Sequence, residues 1–389
     1  MNFFHWITGS LLALIWFSRV VDAAFGIRIL TDISRPEWNR NSATAAGNPR
    51  VAIIVPARNE ENSIGHALKR LLALDYKNYE VIAINDRSTD RTGEIMDSVA
   101  TTSAAKLNVV HIRELPPGWM GKAHAMWTAG RQTDADWLLF TDADVMFRPD
   151  CLRRGIAYAE NERADHVVLL PRVVMKTPGE KMMVSFFQIL FVFGHRPWKV
   201  ADPKAKDHIG VGAFNLVRRS VYEAIGTYEA LRFEIVDDMK FGKVIKNAGF
   251  RQRVVLGDHL IEIRWAQGAR GVVNNLTKNF FAVMSFQAWR ALGGSLVLAV
   301  MNLTPFIGAM FVPGATRAPY VIALLSMFAL YGGLWHRDQI PPWYFFLHPV
   351  STVLFIYTVL RSTCVTLWNG GVEWRGTFYP LEDLRKGLV

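Results

Sequence analysis

Two hydrophobic patterns divide the chain. Residues Phe3 to Phe17 are almost wholly apolar, and the run continues past Arg19 to about Phe25. Beyond Arg50 the apolar residues fall into short runs bounded by polar ones. Val51 to Pro56, Tyr79 to Ile84, Asn108 to Ile112, Trp137 to Thr141 and His166 to Leu170 read as buried strands. Between them Ile64, Ala67, Leu68, Leu71 and Leu72 follow helical spacing. A second helix, capped by Ser88 or Thr89, runs to about Ala100, and a third runs from Gly121 to about Gln132. Strand–helix alternation predicts an α/β fold with a mainly parallel sheet covered on both faces.

After Asp258 this pattern fades. Apolar stretches near Leu296–Val312, Tyr320–Trp335 and Trp343–Leu360 are long enough, or nearly so, for transmembrane helices. Trp335, Trp343 and Tyr344 suit an interfacial belt. Three such spans put the C-terminal tail outside, and a further membrane element at Phe280–Leu292 would change that parity. Met182 to Phe193 is apolar but short for a span, so a core helix and an interfacial helix are both open. At the N-terminus a retained anchor is preferred to a signal peptide, since no Lys or Arg precedes the run. Arg19, Arg28, Arg35 and Arg40 follow it and place the next domain in the cytoplasm. Asn39 to Asn48 is small and polar and reads as a linker.

Composition agrees with this division. The 389 residues are 51% hydrophobic and 20% charged, too apolar for a purely soluble enzyme and too polar for a transporter. The formal net charge is +10. No basic run is interleaved with aromatics, so a membrane surface and a phosphorylated substrate are favoured over nucleic acid. Cys151 and Cys364 are the only cysteines and form no metal or disulfide framework.

Chemistry gathers at the strand ends. The run at Trp137 stops in Asp142-Ala143-Asp144, two carboxylates suited to Mg²⁺ or Mn²⁺ completed by phosphate oxygens. Pro56 to Glu60 and Asp86 end two other strands. In a parallel sheet all three ends face one crevice. Each alone is more simply a polar loop or a helix cap, but three acidic ends on one edge are hard to ascribe to solvation. No Gly-rich phosphate loop is present, which counts against an NTPase or a dinucleotide enzyme.

Val51-Ala-Ile-Ile-Val-Pro-Ala-Arg-Asn-Glu-Glu61, then Asn85-Asp-Arg-Ser-Thr-Asp-Arg-Thr92, then Asp142-Ala-Asp144 closely resemble the motifs of family 2 glycosyltransferases. The resemblance covers roughly Val51 to Phe281. It implies a GT-A fold and a nucleotide-sugar donor, first a UDP-sugar, although neither sugar nor base is written in these residues. It implies that Pro56, Ala57, Arg58, Asn59, Glu60 and Asp86 hold the nucleoside, with Asp86 at the base. Asp142 and Asp144 would serve the ribose and a diphosphate-bound divalent metal. Gly118-Trp-Met-Gly-Lys122 looks like the Gly-Trp-x-Gly-Lys segment of lipid-modifying members, with Lys122 at the diphosphate. Asp237-Asp238 maps onto a Glu-Asp pair whose Asp is the catalytic base. Asp238 matches that base and Asp237 replaces the Glu, so the choice between them stays open; helix capping explains both equally well by itself. Gly210-Val-Gly212-Ala-Phe-Asn215 would shape the acceptor side. Ile261-Glu-Ile-Arg264-Trp265 resembles the Gln-x-x-Arg-Trp motif of processive synthases without its Gln. This weakens a polymer synthase and leaves Arg264 between a diphosphate contact and a structural ion pair. The tail from Trp374 to Pro380 resembles the closing segment of membrane members.

The expected organisation is an anchor at 1–27, a linker at 28–50, a GT-A domain at 51–280, transmembrane helices at 281–368 and a tail at 369–389. The expected reaction is inverting, metal-dependent sugar transfer to a lipid hydroxyl at the inner (plasma) membrane, with the catalytic domain cytoplasmic. A polyprenyl-phosphate sugar transferase is the nearest alternative. A non-catalytic membrane scaffold is the alternative of a different class, and the intact acidic residues argue against it.

Overall fold

The computed structural model describes residues 2–40, 48–103 and 106–387. In chain order the principal elements are α1 (Asn2–Gly26), β1 (Val51–Ala57), α2 (Ile64–Leu72), β2 (Tyr79–Asp86), α3 (Thr92–Ser103), β3 (Leu107–Ile112), α4 (Gly121–Gly130), β4 (Trp137–Phe140), β5 (Met146–Phe147) and α5 (Cys151–Asn161). They continue with β6 (His166–Leu169), β7 (Arg172–Val173), α6 (Pro178–Gly194), β8 (Asn215–Arg218), α7 (Arg219–Ala224), α8 (Asp237–Asn247), β9 (Gln252–Val255) and β10 (Ile261–Ile263). Last come α9 (Gly268–Val283), α10 (Ala288–Phe311), α11 (Ala318–Asp338), α12 (His348–Asn369), the hairpin β11 (Gly371–Trp374) and β12 (Thr377–Pro380), and α13 (Leu381–Lys386).

Contacts divide the chain into two compact units. One holds Leu30–Val174, Pro197–Arg264 and Glu382–Val389. Its sheet has the order β3-β2-β1-β4-β8-β6-β9. Neighbours are parallel except at β8, which runs antiparallel to both β4 and β6. The expectation of a mainly parallel sheet therefore holds, with one reversed strand that the sequence pattern did not show. The strands form because their side chains have nowhere wet to point: every residue of Trp137–Phe140 and nearly every one of Val51–Ala57 is buried. A three-stranded β5-β10-β7 sheet completes the unit.

Part of the stretch read as a linker belongs to this unit. Ile33 is buried in its core, and the main chain at Thr31 and Ile33 bonds Leu256 beyond β9. The Arg154 guanidinium donates to the carbonyls of Ile33, Ser34 and Arg35, and Trp38 packs edge-on against Tyr158. The small polar residues 41–47 of that stretch lie outside the described residues.

The other unit holds Met1–Ile29, Met175–Arg196 and Trp265–Leu381. Four of its helical segments are long and apolar enough to cross a membrane: Phe3–Ile29, Ala288–Phe311, Gly314–Asp338 and Pro342–Asn369. Met182 to Phe193 lies within α6, whose Met183, Phe186 and Ile189 are buried in this unit. Trp335 and Trp343 are exposed, as a membrane interface requires, but Tyr344 is buried among Leu12, Trp16 and Tyr331 and does not belong to that belt. At its centre His348 bridges the Tyr331 hydroxyl (3.1 Å) and Asn302 Oδ1 (2.9 Å), so three long helices share one satisfied polar network.

Candidate active site

The strand order reverses between β1 and β4, and in open α/β sheets ligands bind beyond the carboxyl ends of strands at such a point. The loops after β1 and β2 are stitched together there. Asn59 N–H donates to Ser88 Oγ at 3.1 Å, and Thr89 N–H donates to Asn59 Oδ1 at 2.8 Å. Glu60 N–H donates to Thr92 Oγ1 at 2.7 Å and Glu61 N–H to Asp90 Oδ2 at 3.2 Å. Asp90 Oδ1 also accepts from Thr92 N–H at 3.0 Å. Asp90, and neither Ser88 nor Thr89, thus serves the first turn of α3; it alone reaches a free amide there. Asn59 adopts φ 55°, a left-handed conformation that an asparagine tolerates because its amide bonds nearby backbone. Asn59 and Glu60 thereby fix loop shape. Ala57 is buried with its methyl in the core, whereas Pro56 and Arg58 are half-buried.

Asp86 closes β2 at 4% exposure. Arg87 grips it twice, Nε to Oδ1 at 2.7 Å and Nη2 to Oδ2 at 3.1 Å. Gly121, the first residue of α4, lies against the same carboxylate: a Cβ there would stand 2.4 Å from Asp86 Oδ2. Only glycine lets the helix start so close to Asp86.

One residue on, Lys122 enters the centre of the site. Its Nζ lies 2.9 Å from Asp142 Oδ1 and 3.6 Å from Asp237 Oδ1. Burial would weaken the ammonium, but Asp142, then Asp237 and Asp238, outweigh it, and the pKa of Lys122 is raised. Asp237 is buried at 4% exposure, whereas its neighbour Asp238 is only half-buried. Asp238 accepts two main-chain hydrogen bonds, from Gly212 N–H at 3.0 Å and Met239 N–H at 2.7 Å. Burial, with Asp142 adding to it, raises the Asp238 pKa above the ordinary carboxylate value, against the pull of Lys122 and the two amides.

The Gly210–Asn215 segment makes this geometry possible. A Cβ on Gly210 would lie 1.8 Å from the Asp238 carbonyl oxygen, and one on Gly212 would lie 2.4 Å from Asp142 Oδ2. The segment is anchored from behind by a buried chain of amides. His166 sits between Asn215 Oδ1 (3.2 Å) and Gln252 Nε2 (2.8 Å). Gln252 also donates to the Gly242 carbonyl in α8 and accepts from Ile209 N–H. Asn215 belongs to the Gly210–Asn215 segment expected on the acceptor side, whereas His166 and Gln252 were not among the residues picked out by motif. Their only signal in the sequence is that they are polar residues in apolar strands.

Lys122, Asp142, Asp237 and Asp238 are thus brought together, with Asp86 beside the same helix start. Asp144 is half-buried two residues beyond Asp142, and Arg264 is half-buried directly after β10. Among the described residues no three His, Cys, Asp or Glu side chains converge on a ready-made metal cage. The carboxylates of Asp142 and Asp144 at a strand end fit a hard divalent cation that takes its remaining ligands from substrate phosphates and water.

Comparison with known proteins agrees with this geometry. The glycosyl transferase family 2 profile matches residues 52–226. The 4,4'-diaponeurosporenoate glycosyltransferase of Staphylococcus aureus (strain USA300) is 23% identical over 341 residues, which cover 85% of this chain and 88% of that protein. In fold, the chain is similar to a mannosyltransferase from Pyrobaculum calidifontis, solved with GDP-Man and Mn²⁺. The TM-score is 0.56 at 20% identity, covering 90% of this chain and 99% of that one. The sheet order, the motifs on its strand ends and these likenesses lead to one assignment: residues 52–226 are a family 2 glycosyltransferase domain, and the chain is a glycosyltransferase with a GT-A-type fold.

Proposed function

We propose that this glycosyltransferase moves a sugar, with inversion at the anomeric carbon, from a nucleotide-sugar to a hydroxyl of a membrane lipid. The observation that carries the reading is Asp238. Its carboxylate is fixed by two backbone amides, is the more open member of the Asp237-Asp238 pair, and faces the Lys122–Asp142 pair. A base must be rigid, reachable and more basic than an ordinary aspartate, and Asp238 meets all three conditions.

The roles follow from position. Asp86 takes the nucleobase edge, and the stitched loops of Asn59 and Ser88 fix the floor on which the nucleoside rests. Lys122 exchanges its carboxylate partners for diphosphate oxygens when the donor enters. Asp238 accepts the proton of the acceptor hydroxyl as that oxygen bonds to the anomeric carbon. The bond from that carbon to the diphosphate breaks, and its electron pair leaves with the nucleoside diphosphate. Bound to Asp144, Asp142 and the diphosphate, a divalent cation would supply positive charge against the leaving group. Asp237, buried behind Lys122, keeps the ammonium aimed at the site.

The lipid acceptor is supported by the four long apolar helices and by the Staphylococcus aureus relative, whose name gives 4,4'-diaponeurosporenoate as the molecule it glycosylates. The arginines at and beyond the end of the first of these segments, Arg28, Arg35 and Arg40, favour a plasma-membrane protein with the glycosyltransferase unit on the cytoplasmic side.

The test is Asp238→Asn in protein reconstituted with total membrane lipids and radiolabelled UDP- and GDP-sugars. Transfer into the lipid phase is expected to fall by about 10²–10⁴-fold, the usual contribution of a positioned base, with donor affinity nearly unchanged. Turnover that survives the substitution would remove Asp238 from this role.

A further inference from the structure

The apolar unit contains a groove lined by none of the residues assigned to sugar transfer. It lies between α9 and α12 and has a volume of about 360 Å³. Its wall on α12 is Leu354, Tyr357 and Arg361, spaced three and four residues apart and so on one helix face. Its wall on α9 is mainly Arg270, Val273 and Asn274. No carboxylate lines it, so the two guanidinium groups are not neutralised from within. Arg361 is held in place by donating to Thr277 Oγ1 on α9. Arg270 is exposed and has no hydrogen-bond or ion-pair partner among the described residues.

The groove continues as an apolar track. Val350, Val353 and Tyr357 lie on the same side of α12 as Leu354 and are 49%, 55% and 54% exposed. Arg361 stands two turns before the end of α12 at Asn369, roughly 12 Å at 1.5 Å per residue. The apolar stretch Pro342–Asn369 has 28 residues. Its first residues, Pro342–Leu347, form a separate 3-10 turn, and α12 itself is about 33 Å long, close to the thickness of a hydrocarbon core. A charge at the bilayer centre is costly, so Arg361 and the polar Ser362, Thr363, Thr366 and Asn369 that follow it favour this end in the head-group layer. Arg270 lies in the first turn of α9 and lines the same groove as Arg361, so it stands at the same depth.

A pair of arginines at head-group depth above an apolar track matches one molecule in two parts. Guanidinium groups bind phosphate oxygens in forked pairs, and basic pockets between membrane helices take anionic head groups. We propose that the α9–α12 groove binds an anionic glycerophospholipid, its phosphate between Arg270 and Arg361 and an acyl chain along Leu354, Val353 and Val350. Its lining shares no residue with the site proposed for sugar transfer.

Full-length protein would be exchanged into an equimolar mixture of phosphatidylglycerol and phosphatidylcholine and examined by native mass spectrometry. Retained phosphatidylglycerol should exceed phosphatidylcholine. Arg270→Gln should reduce that preference by about fivefold, the effect of one basic residue at a membrane surface, and Arg270→Gln with Arg361→Gln should abolish it. Because Arg270 is exposed, the single variant remains informative if loss of the Arg361–Thr277 bond disturbs the helix pair. Equal retention of the two lipids, or a preference unchanged in Arg270→Gln, would overturn the proposal.

Discussion

The Lys122 charge opposes the effect of burial on the Asp238 carboxyl, and that opposition can be measured. The Asp238 carboxyl is raised by burial and held down in part by the Lys122 charge. In the proposed role of base it would work only when ionised, so the acid limb of kcat/KM should lie above the ordinary aspartate value of about 3.9. Lys122→Met removes the opposing charge, so the limb should move to higher pH in that variant. Donor affinity should fall about 10- to 100-fold in parallel, the range for losing a charged hydrogen bond. A pH–rate profile with donor titrations checks both, and a limb that stays in place would dissociate the two residues. The residues legible at this scale were those whose motif fixes both type and spacing, such as Asp142 and Asp238. Gly212 was legible only as part of a Gly-x-Gly: that its amide meets Asp238 follows from a fold that brings positions 212 and 238 together.

At the scale of elements, β6, β8, β9 and α8 are tied through His166, Asn215 and Gln252. Burial pushes the His166 pKa down to about 4, although Asn215 opposes it. The unfolded chain takes up a proton near pH 6.5. A depressed native value means that the contribution of His166 to stability is complete above pH 6.5 and is lost as pH falls towards 4. The loss amounts to roughly 3 kcal/mol over that window. His166→Gln should lower stability at pH 7 yet flatten its decline between pH 6.5 and 4, as read by thermal unfolding in detergent. An equally steep decline in the variant would place the acid sensitivity elsewhere. The same elements explain what the hydrophobic pattern missed. Asn215–Arg218 and Gln252–Val255 are four-residue strands with polar residues turned inward onto one another, so they show neither alternation nor a clean apolar run.

For the molecule as a whole, the chain starts in the apolar unit and its last residues rejoin the glycosyltransferase unit. Residues 30–174, 197–264 and 382–389 form one compact body, and Gly387 packs on Phe233 within it. A compact body occupies one face of a bilayer. The chain between Arg264 and Glu382 is then expected to cross an even number of times, although among the described residues it contains three helical segments long enough to cross. The C-terminus is therefore expected on the same side as the glycosyltransferase unit, contrary to the count of three full spans. A C-terminal fluorescent or phosphatase fusion tests this: a phosphatase active outside the cytoplasm would overturn it. The whole chain should also stay in the membrane pellet after alkaline carbonate extraction, and release by that wash would reject integral insertion.

The sequence by itself determined the order of strands and helices in the first half of the glycosyltransferase unit, the acidic strand ends and the apolar helices. Each of these is a local property: a run, a period or a motif a few residues long. It also carried the family, because Val51–Glu61, Asn85–Thr92 and Asp142–Asp144 occur in the right order. Only the tertiary structure decided that Lys122 joins Asp142 to Asp237 and that Asp90 caps α3. It likewise decided that residues 31–38 pack on the sheet, and that α6, interleaved between two parts of one unit, belongs to the other. Apart from the Asp90 cap, which bonds Thr92 two residues on, these are contacts between segments tens to hundreds of residues apart. Their partners are chosen by which buried polar groups and cavities the fold leaves to be satisfied, and no local pattern encodes that choice.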